Sequence, residues 1–231
     1  MANKKSSKQT YKKQKQSSKF IFWVIGLIAV CIIGLIFLSN GKDQAAAFDY
    51  TEQPVIGDSS APVQIVQFGD YKCPVCKNFE ENFFPHIQEN LIDTGKVQFY
   101  FMNFSFINVD SIRSAKFAET VYKELGNEAF WKFHKLLYSK QPDDLKYEKM
   151  DVFTDKFLEE TLAEIVDDSD VAKVVKAFKA KSSEKDWKKD MSTANTLNVT
   201  GTPSIFVNGK KFTGNTFEEL EQMVDEAAKG K

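Results

Sequence analysis

The sequence predicts an α/β domain, a mixed β-sheet with helices packed on it and a helical insertion in its middle. Three observations predict it. The strand-like residues 63–68, with Val63, Ile65, Val66 and Phe68, run straight into a helical pattern of Phe79, Phe83, Ile87 and Leu91. A second strand pattern at residues 97–103 is followed by about eighty residues of helical periodicity. The chain then returns to strand at residues 200–207, turns at Asn208-Gly209 and ends in a capped helix.

Charge and hydropathy divide the 231 residues unevenly. Residues 1–19 hold seven lysines and no acid, leaving 24 Lys and Arg against 32 Asp and Glu in the rest. So acidic a remainder argues against nucleic acid as a partner. Residues 20–38 are nineteen without a charge, long enough to span a bilayer as a helix. Lysines on the N-terminal side keep that end in the cytoplasm and direct the rest outward. Ala45-Ala46-Ala47 would suit a cleavage site, but the apolar run is longer than that of a removable signal, so a retained anchor is the better reading. Cys31 lies inside the run and reads as apolar filler. Residues 1–19 are thus a basic cytoplasmic tail, 20–38 a transmembrane anchor, 39–53 a linker and 54–229 the folded domain.

Within that domain, residues 54–57 form a short strand ended by the turn cluster at 58–62. The helix after residue 73 contains Pro85 near its middle and should kink there. Asp110 is placed to cap a helix carrying Ile112, Ala115, Val121 and Leu125, which Gly126 ends. Asn127 is placed to cap the next, with Phe130, His134, Leu137 and Tyr138 along one side. His134 reads as a packing residue. Two further helices are expected over about 147–166 and 171–197, the second preceded by a cap in Asp167-Asp168-Ser169-Asp170, which lacks EF-hand spacing. The insertion spans about 108–197. Thr216 with Glu219 makes a capping box for the last helix, with Leu220, Met223, Val224 and Ala227 inward.

The chemistry lies between the first full strand and its helix, at Cys73-Pro74-Val75-Cys76. Pro74 suits the first helical position, where its missing N–H costs nothing. Cys73 then sits over the unpaired N–H groups and positive dipole end of a helix, which stabilises a thiolate. Cys73 is the outer, attacking sulfur and Cys76, one turn in, the buried resolving one. Such a disulfide is easily reduced and therefore oxidises other thiols. Pro74 and Val75 are placed to tune it. A Cys-x-x-Cys is also half of a zinc site, but after residue 45 there is no other cysteine and only His86 and His134 could complete it. An inert bridge closing so short a loop would stabilise little.

Strand, Cys-x-x-Cys, helix, strand, helical insertion, then Thr202-Pro203 opening a hairpin resembles the thioredoxin fold. The insertion resembles that of the DsbA-type thiol:disulfide oxidoreductases, and residues 68–76 with the basic tail and anchor resemble their membrane-anchored Gram-positive, BdbD-like branch. The resemblance implies a cis Thr202–Pro203 peptide beside the cysteines, with the Thr202 backbone pairing an extended substrate. It implies donation of the Cys73–Cys76 disulfide to reduced secreted proteins outside the cytoplasm, reoxidation by a quinone-linked DsbB-like membrane protein, and no metal or organic cofactor. Relatives often carry a buried acid on the strand before the cysteines. Here that position holds Gln67, which leaves water or Asp70 as the proton acceptor of Cys76. A reductase or isomerase would share every one of these residues, and a tethered peptide-binding module would use Thr202-Pro203 with inert cysteines.

Overall fold

The computed structural model describes residues 46–230. Five strands form one sheet in the order β1-β3-β2-β4-β5: β1 Val55–Ile56, β2 Val63–Gly69, β3 Val97–Asn103, β4 Ser204–Val207 and β5 Lys210–Lys211. The central pair, β2 and β3, is parallel, with Val63 opposite Val97 and Gly69 opposite Asn103. Every other pairing is antiparallel. β2 is buried on both faces, which is why its sequence is nearly continuous in apolar residues. Val63 and Ile65 pack with Phe79, Ile87 and Leu220 on one face; Val66 and Phe68 pack with Ala194, Val199 and Phe206 on the other.

Helix α1 covers residues 74–92 and begins where β2 ends. It has four contiguous pieces: α-helical Pro74–Asn78, a π turn at Phe79–Phe83, α-helical Phe84–Ile87 and a second π turn at Gln88–Ile92. The interruption expected at Pro85 takes this form. The Phe84 N–H bonds five residues back to Phe79, and Pro85 opens the next α-helical piece, where it has no hydrogen bond to lose.

The insertion comprises α2 Val109–Leu125, α3 Asn127–Ser139, a 3₁₀ turn Leu145–Lys149, α4 Asp155–Ala163, α5 Asp168–Lys179 and α6 Glu184–Thr196. Two expected caps are corrected. Asn108, not Asp110, caps α2, in a capping box with Ser111, and Asp110 turns into the interior. Gly126 occupies the cap position of α3, and the Asn127 side chain instead pins β1 through Val55 N–H and C=O at 2.9 and 2.6 Å. The expected pair of long helices at 147–166 and 171–197 is four shorter elements. Thr154 caps a fresh start within the first and the chain breaks at Lys181, where φ is +57°, within the second, while Asp167 caps the start between them as expected. α7, Phe217–Lys229, starts from the expected Thr216–Glu219 capping box, with Leu220 and Val224 buried.

The stretch read as a linker is corrected from residue 46 onward. Ala46 N–H bonds Gly209 C=O at 2.8 Å, Phe48 packs on Phe206 with ring centroids 5.6 Å apart, and Tyr50 packs on Tyr100 at 4.4 Å. The apolar run at 20–38 lies outside the described residues, and among those described no helix is long and apolar enough to cross a membrane.

A buried ion pair joins the insertion to the turn before α1. Lys72 and Asp110 are both fully buried, with Nζ 2.9 Å from Oδ2. The Lys72 ammonium also donates to Tyr147 C=O at 2.6 Å and Met150 C=O at 2.7 Å, so all three protons are used. Asp110 Oδ2 further accepts from the N–H groups of Val152 and Phe153. Removing one partner strands a buried charge, so Asp110→Ala should destabilise the domain by about 3 kcal/mol or more. Chemical denaturation measures this; a loss below about 1 kcal/mol would show the pair to be a minor tether.

Candidate active site

Cys73 is the N-cap of α1, with extended backbone (φ −81°, ψ 117°) and Pro74 in the first turn. This geometry brings its Sγ back over the helix end, where it accepts from the Cys76 N–H at 3.3 Å. The same sulfur contacts the Thr202 carbonyl at 3.4 Å, donating to it as a thiol. The two cysteines are free thiols with unequal surroundings: Cys73 keeps 6% of its surface exposed and Cys76 none. A hydrogen bond from the Cys76 side chain, helped by the N–H groups of Cys76 and Val75, lowers Cys73 to about 6, while burial and then Cys73 itself push Cys76 up. One sulfur is thus held ready as a thiolate and the other as a thiol.

The Thr202–Pro203 peptide is cis, as the resemblance implies. β4 follows, antiparallel to β2, which sets Thr202 and Pro203 beside the cysteines. The strand is shorter than the expected 200–207, because residues 200–203 form the irregular approach to it. A shallow groove of about 290 Å³ runs past Pro203 and the exposed Val75, walled by Phe79, Phe83, Ile205 and Phe212. The site residues singled out in sequence thus converge: Cys73, Cys76, Thr202 and Pro203 directly, Pro74 in the helix start and Val75 on the groove.

A family model described as thioredoxin matches residues 49–226. The probable disulfide bond formation protein D of Bacillus anthracis is 33% identical over 210 residues, 90% of this chain and 94% of that protein. Disulfide bond formation protein D of Bacillus subtilis (strain 168) is 36% identical over 187 residues, 78% of each. The crystal structure of oxidised BdbD from Bacillus subtilis is similar with a TM-score of 0.73 at 33% identity, covering 80% of this chain and 98% of that one. The chain belongs to this thioredoxin-like family of disulfide bond formation proteins. It is a disulfide-forming thiol:disulfide oxidoreductase.

Side chains of the insertion hold the turn before α1. Gln141 donates to the Tyr71 carbonyl at 2.7 Å and the Cys73 carbonyl at 3.3 Å. The Tyr147 hydroxyl is shared between the Lys72 carbonyl at 2.7 Å and Gln141 Oε1 at 2.8 Å. Three consecutive carbonyls are thereby satisfied. Asp70 accepts from the N–H groups of Lys72, Phe106 and Ile107, a turn-holding role rather than that of a free proton acceptor. Gln141 and Tyr147 were invisible in sequence, being about 70 residues away with no motif around them. His134 is buried as expected of a packing residue, but polar on both sides, 3.0 Å from the Tyr71 hydroxyl and 3.3 Å from Glu80.

No group of three or more His, Cys, Asp or Glu is placed to hold a metal among the described residues. The Asn103 amide bridges buried Glu119 and Asp190, donating to them at 2.6 and 3.4 Å, and Gln53 donates to Asp190 at 2.8 Å. Burial pushes Glu119 well up and Asp190 to about 6, and Gln53 Oε1 and Asn103 Oδ1 have no partners. The sequence carried no signal for this set, whose members come from four separate segments.

Alkylation of reduced protein should report the Cys73 thiolate, with rates rising through an inflection near pH 6. In Gln141→Ala the inflection should move up by less than about one unit, as its hydrogen bonds to the Tyr71 and Cys73 carbonyls are lost. An inflection at or above the ordinary thiol value would contradict the geometry described.

Proposed function

We propose that this chain is a membrane-tethered oxidase whose catalytic domain works outside the cytoplasm, donating the Cys73–Cys76 disulfide to reduced secreted proteins. The observation that carries this is the inequality of the two sulfurs. A substrate thiolate attacks Cys73, the less buried sulfur, the Cys73–Cys76 bond breaks and a substrate–Cys73 disulfide forms. A second substrate thiolate attacks its own partner sulfur, releasing oxidised substrate and reduced protein. Because the Cys73 thiolate is stabilised, release of reduced enzyme is favoured.

Substrate contact is supported by the groove at Pro203, where an extended chain would pair with the Thr202 backbone. The large apolar side chains exposed among the described residues add to it. Val75 lies between the cysteines, and Phe106, Val109, Leu145 and Met150 lie on segments hydrogen-bonded to the 70–73 turn. An apolar rim of this kind suits unfolded chains better than a folded partner of one shape. The lysine-rich residues 1–19 and the uncharged residues 20–38 support the tether and its orientation. Reoxidation is assigned to a quinone-linked DsbB-like membrane protein on the strength of the resemblance.

The test is a trap in intact cells. The full chain carrying Cys76→Ala should accumulate mixed disulfides with secreted proteins, all lost when Cys73→Ser is added, and an impermeant thiol reagent should label Cys73 without lysis. Labelling only after lysis would reverse the orientation. An absence of mixed disulfides would leave a tethered binding module, and a thioredoxin-like reduction potential would make the chain a reductase.

A further inference from the structure

Cys76 has no exposed surface, yet each turnover moves a proton onto it and off it. When a substrate thiolate breaks the Cys73–Cys76 bond, the electron pair goes to Cys76, and the buried sulfur must take up a proton. When the disulfide re-forms, that proton must leave. The position beneath the cysteines on β2 is no help: Gln67 is buried, neither polar atom of its side chain has a partner, and an amide exchanges no proton in this range. Asp70 is engaged by three backbone donors.

Another set of polar groups lies on α3 and on α1 itself, in and beside the cluster that holds Cys76. Tyr138 packs in the same apolar cluster as Cys76. Its hydroxyl is buried without a partner, and it lies against Gly69, where a Cβ would come within 2.9 Å of it. Burial pushes this hydroxyl well up, and charge on Cys76, Tyr71, Glu80 or Asp70 pushes it the same way. Glu80 follows Cys76 by four residues. Its Oε1 is buried with no hydrogen-bond partner, 3.3 Å from His134 Nε2. Glu80, His134 and Tyr138 all line one cavity of about 590 Å³ between α1 and α3, with Glu81, Glu89 and Lys135 also on its wall. Unpartnered buried polar atoms are costly, and here three of them, on Glu80, His134 and Tyr138, belong to residues lining a space large enough for water.

We propose that Tyr138 and Glu80 form the proton path of Cys76, connecting the buried sulfur to water in this cavity in place of an acid at position 67. On reduction, the Tyr138 hydroxyl passes its proton to the leaving Cys76 sulfur and is recharged from Glu80, which takes a proton from the cavity. On reoxidation the proton runs the other way. His134 is a positioning residue, fixed by Tyr71 on one side and holding Glu80 on the other. The proposal rests on Cys73 and Cys76 being the reacting pair.

Two reactions of the full chain in detergent separate the Cys76 step from the rest. Alkylation of reduced protein reads Cys73 alone; reduction of the Cys73–Cys76 disulfide by dithiothreitol requires Cys76 to leave. Glu80→Gln and Tyr138→Phe should each slow the second reaction by roughly tenfold or more and alter its pH profile, with alkylation unchanged. Glu81→Gln, on the same cavity wall, should behave as wild type in both. The path is overturned if either variant reduces at the wild-type rate, or if alkylation falls along with reduction, as general damage to the fold would make it. Wild-type protein that fails to react with dithiothreitol at all would instead sink the proposed function.

Discussion

A sulfur at the open end of a helix is the interaction on which the rest depends. The first N–H groups of a helix have no carbonyl partners, and Cys73 satisfies some of them with Sγ instead of an oxygen. Pro74 removes one competing donor and fixes the backbone for the turn that follows. The result is a thiolate favoured only in the folded state, with Cys73 at about 6. Everything nearby keeps that geometry in place. Parallel β2 and β3 set where α1 begins, β4 delivers Thr202 to the sulfur, and the insertion locks the turn in between.

That lock gives the insertion a role beyond covering the sheet. Lys72, next to the active sulfur, is buried against Asp110 and two carbonyls, while Gln141 and Tyr147 hold the backbone on either side of it. A buried ion pair of this kind stabilises little compared with apolar packing, but it admits one arrangement and penalises others. Rigidity at the turn matters because the helix-end field falls off within one turn, so a small shift of Sγ would weaken the thiolate.

The core of this design was legible because each part has local chemistry. Runs of β-branched and aromatic residues mark β2 and β3, Pro74 marks the helix start, Asn208-Gly209 the hairpin and Thr216–Glu219 the last cap. What was not legible depends on tertiary contacts. Asp110 looked like a cap, but Asn108 wins that position and the carboxylate goes to Lys72, 38 residues away. Asn127 looked like a cap, but it pairs with the edge strand. Residues 46–53 looked like a linker because their alanines and polar residues hide two aromatic anchors, Phe48 and Tyr50, whose partners come from β2, β3 and β4. The cap at Asp167 was legible, but the helices on either side of it were read too long, since the chain breaks before Thr154 and at Lys181 without the glycine or proline that usually marks such breaks.

The central claim is that folding stabilises the Cys73 thiolate and that this makes the protein an oxidant. The folded value is depressed below that of an unfolded chain, so the stabilisation is complete above about pH 8.5 and is lost as pH falls through about 6. At pH 7 it contributes about 1 kcal/mol after allowing for solvent screening. The direct measurement is a pair of denaturant curves on the compact unit at residues 45–231, one reduced and one oxidised, repeated from pH 5 to pH 8.5. The account predicts that the reduced form unfolds at the higher denaturant concentration at pH 7 and that the gap narrows toward pH 5. An oxidised form clearly more stable at pH 7, or a gap that does not change with pH, would contradict it.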